Sequence, residues 1–266
     1  MLVVLHGILG SGSNWVTFGR RLIERRPDWR VALVDLPAHG RSLDREPPFT
    51  VERCVDALVE LEPHLGGPVD AVSGHSFGSK VAIAYAARRR ARGFPLQGVW
   101  VLDGDPGPQA PQRATLRGDD VDRVLAALRG TRGPFESRDE FIDAMGGRGI
   151  TRPVAAWLAT NLRRGDGDEP LHFRLSLDAI EALLVDYRRL DAWPLLESVS
   201  SVGQAVIGGR SPVVSDVSRA RFRETLGPAA VHVLDEAAHW VHVDDLPGLL
   251  DLFVPRLARR DGSARV

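Results

Sequence analysis

The sequence predicts an α/β fold, in which helices cover both faces of a doubly wound, mostly parallel sheet of about six strands. Three observations lead to this prediction. Short runs rich in Val, Leu and Ile, without strict polar alternation, are typical of strands buried on both faces. Helical patterns separate most of these runs, which is the rhythm of βαβ units. Between about residues 106 and 202 only helical patterns occur, and this break predicts a helical insertion.

The individual elements follow in order along the chain. Buried strands are predicted at residues 2–5 (LVVL), 31–35 (VALVD), 69–73 (VDAVS), 99–103 (VWVLD), 204–207 (QAVI) and 231–234 (VHVL). Core helices are predicted at residues 16–24, 51–61, 80–90, 217–226 and 247–257. Four further helices, joined by Gly- and Pro-rich links, are predicted at residues 119–128, 138–145, 153–162 and 177–190. We therefore divide the chain into a core of residues 1–105 and 203–258, a helical cap of residues 106–202, and a flexible tail of residues 259–266.

Length and composition fit one large α/β domain with an insertion. The 266 residues are 44% hydrophobic, enough for a sizeable core without disulfides or metal. A net charge of −1 gives no electrostatic reason to expect a nucleic acid or an anionic membrane as partner. Cys54 is the only cysteine, which excludes an intramolecular disulfide and a Cys-based metal site.

The N-terminal sequence and hydropathy predict the compartment. Residues 1–5 are too short for the apolar region of a signal peptide and lack a basic start. No apolar run approaches the ~20 residues that span a bilayer. We therefore expect a cytoplasmic protein with no membrane partner, either a monomer or a homodimer.

The pentapeptide GHSFG at residues 74–78 is the most specific chemical motif. It has the G-x-S-x-G pattern and lies between a predicted strand and a predicted helix, where a nucleophile elbow occurs. A serine on so sharp a turn projects its Oγ above the sheet, and the glycines avoid collisions with the adjoining strand and helix. The following helix directs its N-terminal N–H groups at a developing oxyanion. We therefore predict Ser76 as a nucleophile.

A serine hydroxyl needs a base, because almost none of it is ionised at neutral pH. Of the eight histidines, His239 follows the last predicted strand and so lies at the sheet edge where Ser76 emerges. The order serine, acid, histidine is also the one that G-x-S-x-G enzymes use. His239 is therefore the predicted base. His242, three residues later, would share nearly the same face of a helical turn and stays an alternative.

Two backbone N–H groups are predicted to form an oxyanion hole. One belongs to Phe77, directly after the nucleophile, and the other to the loop of residues 6–12 after the first strand. In that loop Ile8 is the first choice and Leu9 the second. The glycines of the loop do not form G-x-G-x-x-G, and no G-K-[ST] is present, so phosphate binding is a poorer explanation.

Together these residues resemble the α/β-hydrolase superfamily. The resemblance rests on His6-Gly7 with Gly10 and Trp15, on the run DLPAHGRS at 35–42, on the Ser76 elbow and on AHW at 238–240. It covers essentially the whole chain outside the insertion. Members normally have one or two strands before the strand at residues 2–5, so we expect those N-terminal strands to be missing here.

The resemblance also suggests which carboxylate orients the base. The acid usually follows the seventh strand, but the matching stretch IGGRSPVVSD at 207–216 has no carboxylate at the expected spacing. Asp103 instead ends the strand after the elbow helix, as in an esterase subfamily whose acid follows the sixth strand. By this resemblance Asp103 orients His239. Asp105 and Asp216 are the alternatives.

The function implied is that of a serine esterase with a small-molecule ester as substrate. It would cleave carboxylic esters of small or medium acyl chains through an acyl-enzyme on Ser76, with no cofactor and no metal. Other activities on this scaffold stay open: a menaquinone-pathway synthase-like elimination, a lactonase, a C–C hydrolase or a perhydrolase. A non-catalytic binding protein is the alternative from another class, although Ser76, His239 and Asp103 are all present.

Large apolar side chains are the candidates for substrate contacts. The aromatic residues of the insertion are suited either to an apolar acyl pocket or to the packing of the insertion itself; they are Trp157, Phe173, Tyr187 and Trp193. Our predicted substrate-binding residues are Leu9, Trp157, Trp193 and Trp240.

Overall fold

The computed structural model describes residues 1–43, 46–109, 115–116, 119–131, 133–165 and 169–258. Within these ranges ten strands form three sheets. The strands are β1 (Leu2–Leu5), β2 (Val31–Val34), β3 (Ala71–His75), β4 (Gly98–Leu102), β5 (Thr115–Leu116), β6 (Asp119–Asp120), β7 (Leu162–Arg164), β8 (Leu171–Phe173), β9 (Gly203–Gly208) and β10 (Val231–Leu234). The predicted tail, residues 259–266, lies outside the described residues.

The main sheet has six strands in the order β10-β9-β4-β3-β1-β2, and every neighbouring pair is parallel. The predicted fold class is confirmed. All six core strands were predicted, with bounds that differ from the observed ones by at most two residues. The chain moves outward in opposite directions from β1 and β3, so the loops after these two strands diverge at a topological switch point. Ligands of open α/β sheets bind in the crevice at such a point.

Eleven helices occur in the described part of the chain. They are α1 (Val16–Arg25), α2 (Val51–Leu61), α3 (Phe77–Ala91), α4 (Val121–Gly130), α5 (Arg138–Gly146), α6 (Arg152–Leu158), α7 (Leu177–Arg189), α8 (Trp193–Ser198), α9 (Asp216–Leu226), α10 (Val241–Asp244) and α11 (Leu246–Arg256). Six of them begin after a Ser, Thr or Asp whose side chain accepts a hydrogen bond from a first-turn N–H: α2, α4, α5, α7, α9 and α11. Such caps satisfy donors that have no partner within the helix.

The sheet is buried on both faces, which explains its uninterrupted apolar strands. In β1, Leu2 and Val4 pack with the aromatic side chains of α1 and α11, whereas Val3 and Leu5 pack with α2 and α3. Because successive side chains of a strand point to opposite faces, a strand covered on both sides needs apolar residues at every position.

The segment between β4 and β9 is mainly helical, as predicted. It contains α4 to α8, and its apolar side chains belong to the same buried cluster as those of α2 and α3. Three features were not predicted. The short antiparallel pairs β5–β6 and β7–β8 include the first two residues of the helix expected at 119–128 and the last residue of the helix expected at 153–162, and α8 had no predicted counterpart. The division of the chain into core, cap and tail stays a prediction.

The two ends of this insertion lie side by side. The N–H of Ala192 donates to the carbonyl of Pro106 at 2.8 Å, and that of Gln109 donates to the carbonyl of Arg188 at 2.9 Å. Lys80, the only lysine of the chain, is fully buried between them and donates to three backbone carbonyls at 2.7–2.8 Å, those of Gly107, Tyr187 and Leu190. These contacts hold the insertion against α3, the helix that follows Ser76.

No helix among the described residues is both long enough and apolar enough to cross a bilayer.

Candidate active site

Ser76 lies on the turn between β3 and α3 in a backbone conformation that non-glycine residues rarely adopt. Its φ is 52° and its ψ is −115°. A Cβ on Gly74 would lie 2.0 Å from the carbonyl oxygen of Gly78, and one on Gly78 would lie 2.7 Å from that of His6. Only glycine fits at either position. The chain enters α3 directly at Phe77, three residues before the predicted start.

The fold brings His239 and Asp103 together, although the two residues lie 136 positions apart in the sequence. The Nδ1 atom of His239 lies 2.7 Å from Oδ2 of Asp103, and both side chains are buried, with 2% and 0% of their surface exposed. An ionised carboxylate only accepts hydrogen bonds, so Nδ1 carries the proton of the neutral ring. That tautomer leaves Nε2 of His239 free to accept a proton.

Two further donors hold the Asp103 carboxylate. The N–H of Gly208 donates to Oδ1 at 3.0 Å, and the hydroxyl of buried Ser211 donates to Oδ2 at 2.5 Å. The motif containing Ser211 was noted in the sequence, but no contact with Asp103 was predicted. The φ of Asp103 is 43°, a strained value that aims its side chain at these donors from the end of β4.

The alternative acids lie elsewhere. Asp105 accepts hydrogen bonds from the N–H of Gly107 at 2.9 Å and from the hydroxyl of Ser218 at 2.6 Å. Asp216 is the first residue of α9, and no hydrogen bond joins it to His239 in the described structure. Of the three carboxylates considered, only Asp103 contacts His239.

The structure distinguishes between Ile8 and Leu9 in the loop after β1. The N–H of Leu9 donates to Nε2 of His39 at 3.1 Å, so it is already occupied. The N–H groups of Ile8 and Phe77 have no acceptor within the described part of the chain. The assignment of Ile8 and Phe77 as oxyanion donors stays a prediction.

The run DLPAHGRS at 35–42 anchors this loop. Nε2 of His6 accepts from the N–H of Leu36 at 3.0 Å, which ties the end of β1 to the residues after β2. The carboxylate of Asp35 accepts from the N–H of Gly12 at 2.7 Å and from that of Arg41 at 2.9 Å. The role of the run is therefore to position the backbone that carries Ile8.

An open cavity of about 580 Å³ lies above the switch point. Its wall includes Ser76 and His239, together with the predicted substrate-binding residues Trp157 and Trp240, whose rings lie 5.3 Å apart. Ser76 and His239 therefore line the same cavity as the aromatic side chains.

Two of the predicted substrate-binding residues, Leu9 and Trp193, lie outside this wall. Leu9 is fully buried, because a φ of 62° turns it into the core beneath the loop. Trp193 is buried on α8 against Phe222, with Arg221 over its ring. Phe173 and Tyr187 pack against Phe141 and Phe77 rather than lining the cavity.

Three buried histidines, His6, His39 and His75, and the half-buried His242 lie around His239 or the loop after β1, and the low-polarity surroundings favour the neutral form of each ring. Burial lowers the pKa of His6 to about 4 and those of His39 and His242 to about 3. The pKa of His75 also lies well below its usual value, because the ring is buried and lies 4.6 Å from that of His239. Among the described residues, no three His, Cys, Asp or Glu side chains are grouped to hold a metal ion.

These histidines predict a stability that falls in acid. Between pH 6.5, the ordinary pKa, and the lowered values, the unfolded chain binds protons that the folded chain does not. The contribution of these neutral rings to the free energy of unfolding is therefore fully present above pH 6.5, and it is lost as the pH falls toward 4. Each such group removes about 1.4 kcal/mol of unfolding free energy per pH unit. Urea unfolding at pH 7, 6 and 5 measures the slope.

A His39→Gln variant should have a flatter pH dependence, because one of these groups is gone. His64→Gln is the matched control, since His64 is exposed at the end of α2, and it should keep the slope of the unchanged protein. An unfolding free energy that stays constant from pH 7 to pH 5 would contradict the prediction.

Comparisons with known proteins identify the family. The family model described as the alpha/beta hydrolase family matches residues 2–250. The chain belongs to the α/β-hydrolase family. The mouse (Mus musculus) sn-1-specific diacylglycerol lipase is 26% identical to this α/β-hydrolase over 263 residues, covering 97% of this chain and 80% of the mouse protein.

Two other similarities bear on the site. The 2-succinyl-6-hydroxy-2,4-cyclohexadiene-1-carboxylate synthase of Serratia proteamaculans is 32% identical over 116 residues, covering 44% of this α/β-hydrolase and 43% of the synthase. The solved structure of a marine microorganism esterase superposes with a TM-score of 0.79 at 20% identity, covering 96% of this chain and 94% of the esterase. At that identity the superposition supports the fold alone.

Proposed function

We propose that this α/β-hydrolase cleaves carboxylic esters through an acyl-enzyme on Ser76. One observation carries the proposal: the 2.7 Å contact between His239 and Asp103, made at the wall of a cavity that Ser76 shares. A buried carboxylate that fixes an imidazole tautomer next to a serine on an elbow is the arrangement that activates a hydroxyl.

In the proposed first step, Oγ of Ser76 attacks the ester carbonyl carbon while Nε2 of His239 takes the hydroxyl proton. Asp103 holds the Nδ1–H tautomer and stabilises the imidazolium that forms. The N–H groups of Ile8 and Phe77 donate to the oxyanion, and such a donor is worth roughly 3–4 kcal/mol in the transition state. Collapse of the tetrahedral intermediate breaks the bond to the alcohol oxygen, which takes the proton from His239.

Water completes the cycle. His239 removes a proton from a water molecule, the hydroxide attacks the acyl carbonyl, and Oγ of Ser76 leaves with the proton that His239 returns. The products are the free acid and the unchanged enzyme. Small or medium acyl chains are the proposed substrates, and Ile8, Trp157 and Trp240 provide an apolar wall for them.

An elimination like that of the synthase relatives is a second candidate, favoured by their 32% identity over part of the chain. The name of that relative describes a carboxylate, which proteins bind with Arg or Lys. Among the described residues that line the cavity, none is Arg or Lys, although the chain contains 34 basic residues. This composition supports an uncharged ester instead.

A fluorophosphonate probe and a series of p-nitrophenyl esters test the proposal. We expect turnover of the acetate, butyrate and octanoate esters, and a probe adduct on the peptide that contains Ser76. Ser79→Ala is the control, because it removes a buried hydroxyl of α3 that has no hydrogen-bond partner among the described residues. This variant should keep both ester turnover and labelling by the probe. No ester turnover together with no adduct would overturn the proposal, and formation of 2-succinyl-6-hydroxy-2,4-cyclohexadiene-1-carboxylate would favour the second candidate.

A further inference from the structure

His242 is a second imidazole in the wall of the cavity, and the proposed reaction does not use it. It lies in α10, three residues after His239, and its ring stacks on Trp15 with centroids 3.9 Å apart and planes 20° apart. Its Nδ1 atom is buried and has no hydrogen-bond partner among the described residues. Because that nitrogen is closed off from solvent, the ring meets the cavity through its other atoms.

The charge state of His242 limits what it can bind. Its ring lies 5.4 Å from that of His75, and burial, reinforced by His239, lowers its pKa to about 3. At neutral pH it is therefore an uncharged ring with one N–H donor and one acceptor nitrogen. A hydroxyl group, which both donates and accepts, complements such a ring better than a carboxylate or an ammonium does.

Asn14 adds a second uncharged polar group to the same wall. It precedes Trp15 in the chain, and its Oδ1 accepts from the N–H of Ser11 at 2.8 Å. The side-chain NH₂ of Asn14 is the group that would donate a hydrogen bond to a ligand. The side chains of Asn14 and His242 thus give the wall two neutral hydrogen-bonding groups.

Ring contacts place this wall next to the leaving group. In the proposed reaction His239 protonates the alcohol oxygen, so the rest of the alcohol must begin beside His239. The ring of His75 lies 4.6 Å from that of His239, 5.4 Å from that of His242 and 5.9 Å from that of Trp15. The alcohol therefore extends along Trp15, Asn14 and His242, whereas Ile8 and Trp157 remain for the acyl chain.

We propose that Asn14, Trp15 and His242 form a subsite for the alcohol part of the ester, a proposal that rests on the proposed function. The alcohol that this subsite selects is uncharged and carries at least one free hydroxyl group, as a polyol monoester does. Trp15 contacts its carbon chain, and the two neutral side chains bond its hydroxyl groups. The substrate class is therefore an acylated polyol rather than a simple alkyl ester.

A pair of esters that differ only in hydroxyl groups tests the subsite. Glyceryl 1-monobutyrate and propyl butyrate share the acyl chain and a three-carbon alcohol. We expect kcat/KM of the unchanged enzyme to favour the glyceryl ester about tenfold, the contribution of one or two neutral hydrogen bonds. His242→Phe keeps a ring against Trp15 but has no nitrogen, so this ratio should fall toward one.

His64→Phe makes the same replacement at an exposed site and should keep the tenfold ratio. His242→Gln retains an uncharged donor and acceptor and should restore part of the ratio. Equal rates for the two esters in the unchanged enzyme would overturn the subsite but leave the esterase function standing. So would an equal loss for both esters in His242→Phe, because it would indicate packing alone. Failure to hydrolyse these esters and p-nitrophenyl butyrate would overturn the esterase function itself.

Discussion

Replacing Ser76 and His239 together by Ala is expected to slow the hydrolysis of p-nitrophenyl butyrate no more than either replacement alone. Each single variant should lose about 10⁶-fold in kcat, the loss found where nucleophile and base act as a unit. Without His239 the Ser76 hydroxyl keeps its proton, and without Ser76 the imidazole has no hydroxyl to activate. Steady-state kcat values of the two single variants and the double variant provide the measurement.

Thermal unfolding of each variant separates lost chemistry from lost structure. Ser79→Ala is the matched control for the serine replacement, because the Ser79 hydroxyl is buried in the same helix and has no hydrogen-bond partner. Its kcat should stay within about twofold of the unchanged enzyme, since a surface or unpartnered group contributes little. A double variant whose loss equals the product of the two single losses would show that Ser76 and His239 act independently.

The core strands could be predicted because their burial leaves a simple pattern. Strand β1 reads LVVL since both of its faces are covered, and β9 and β10 have the same character. The start of α3 was placed three residues late for a related reason. Its first two turns are buried on all sides, so they show no polar face that would mark a helix.

The elbow could also be predicted, because its five residues are consecutive in the sequence and form a recognisable pattern between a strand and a helix. Asp103 was different: its assignment came from a family resemblance, since nothing local distinguishes it from Asp105. The structure separates the two through contacts with residues more than 100 positions away, Gly208 and His239. Such contacts depend on how the strands assemble, and a single sequence does not display them.

Leu9 shows the same limit at the level of one side chain. Its place in the loop after β1 was predicted correctly, but its direction was not. A positive φ turns Leu9 into the core and leaves Ile8 at the cavity. The sequence offers no signal for this turn, because leucine is not a residue that favours positive φ.

Asp103→Asn is expected to lower kcat by about 10⁴-fold, as loss of the correct imidazole tautomer does in a serine triad. Three donors converge on the two oxygens of Asp103: the Gly208 N–H on Oδ1, and the Ser211 hydroxyl and His239 Nδ1 on Oδ2. An asparagine has one acceptor oxygen. Because the Gly208 N–H cannot rotate, that oxygen stays with it and the NH₂ group faces His239.

Nδ1 of His239 must then accept rather than donate, so the proton of the neutral ring moves to Nε2, where it blocks transfer from Ser76. Asp216→Asn, which alters a carboxylate with no hydrogen bond to His239, should keep kcat within about twofold. The measurement is kcat on p-nitrophenyl butyrate for both variants. Because only the tautomer changes, Asp103→Asn should also label with the fluorophosphonate more slowly while unfolding as a single transition. A large loss confined to Asp216→Asn would transfer the orienting role to Asp216 and contradict the arrangement argued from the three donors.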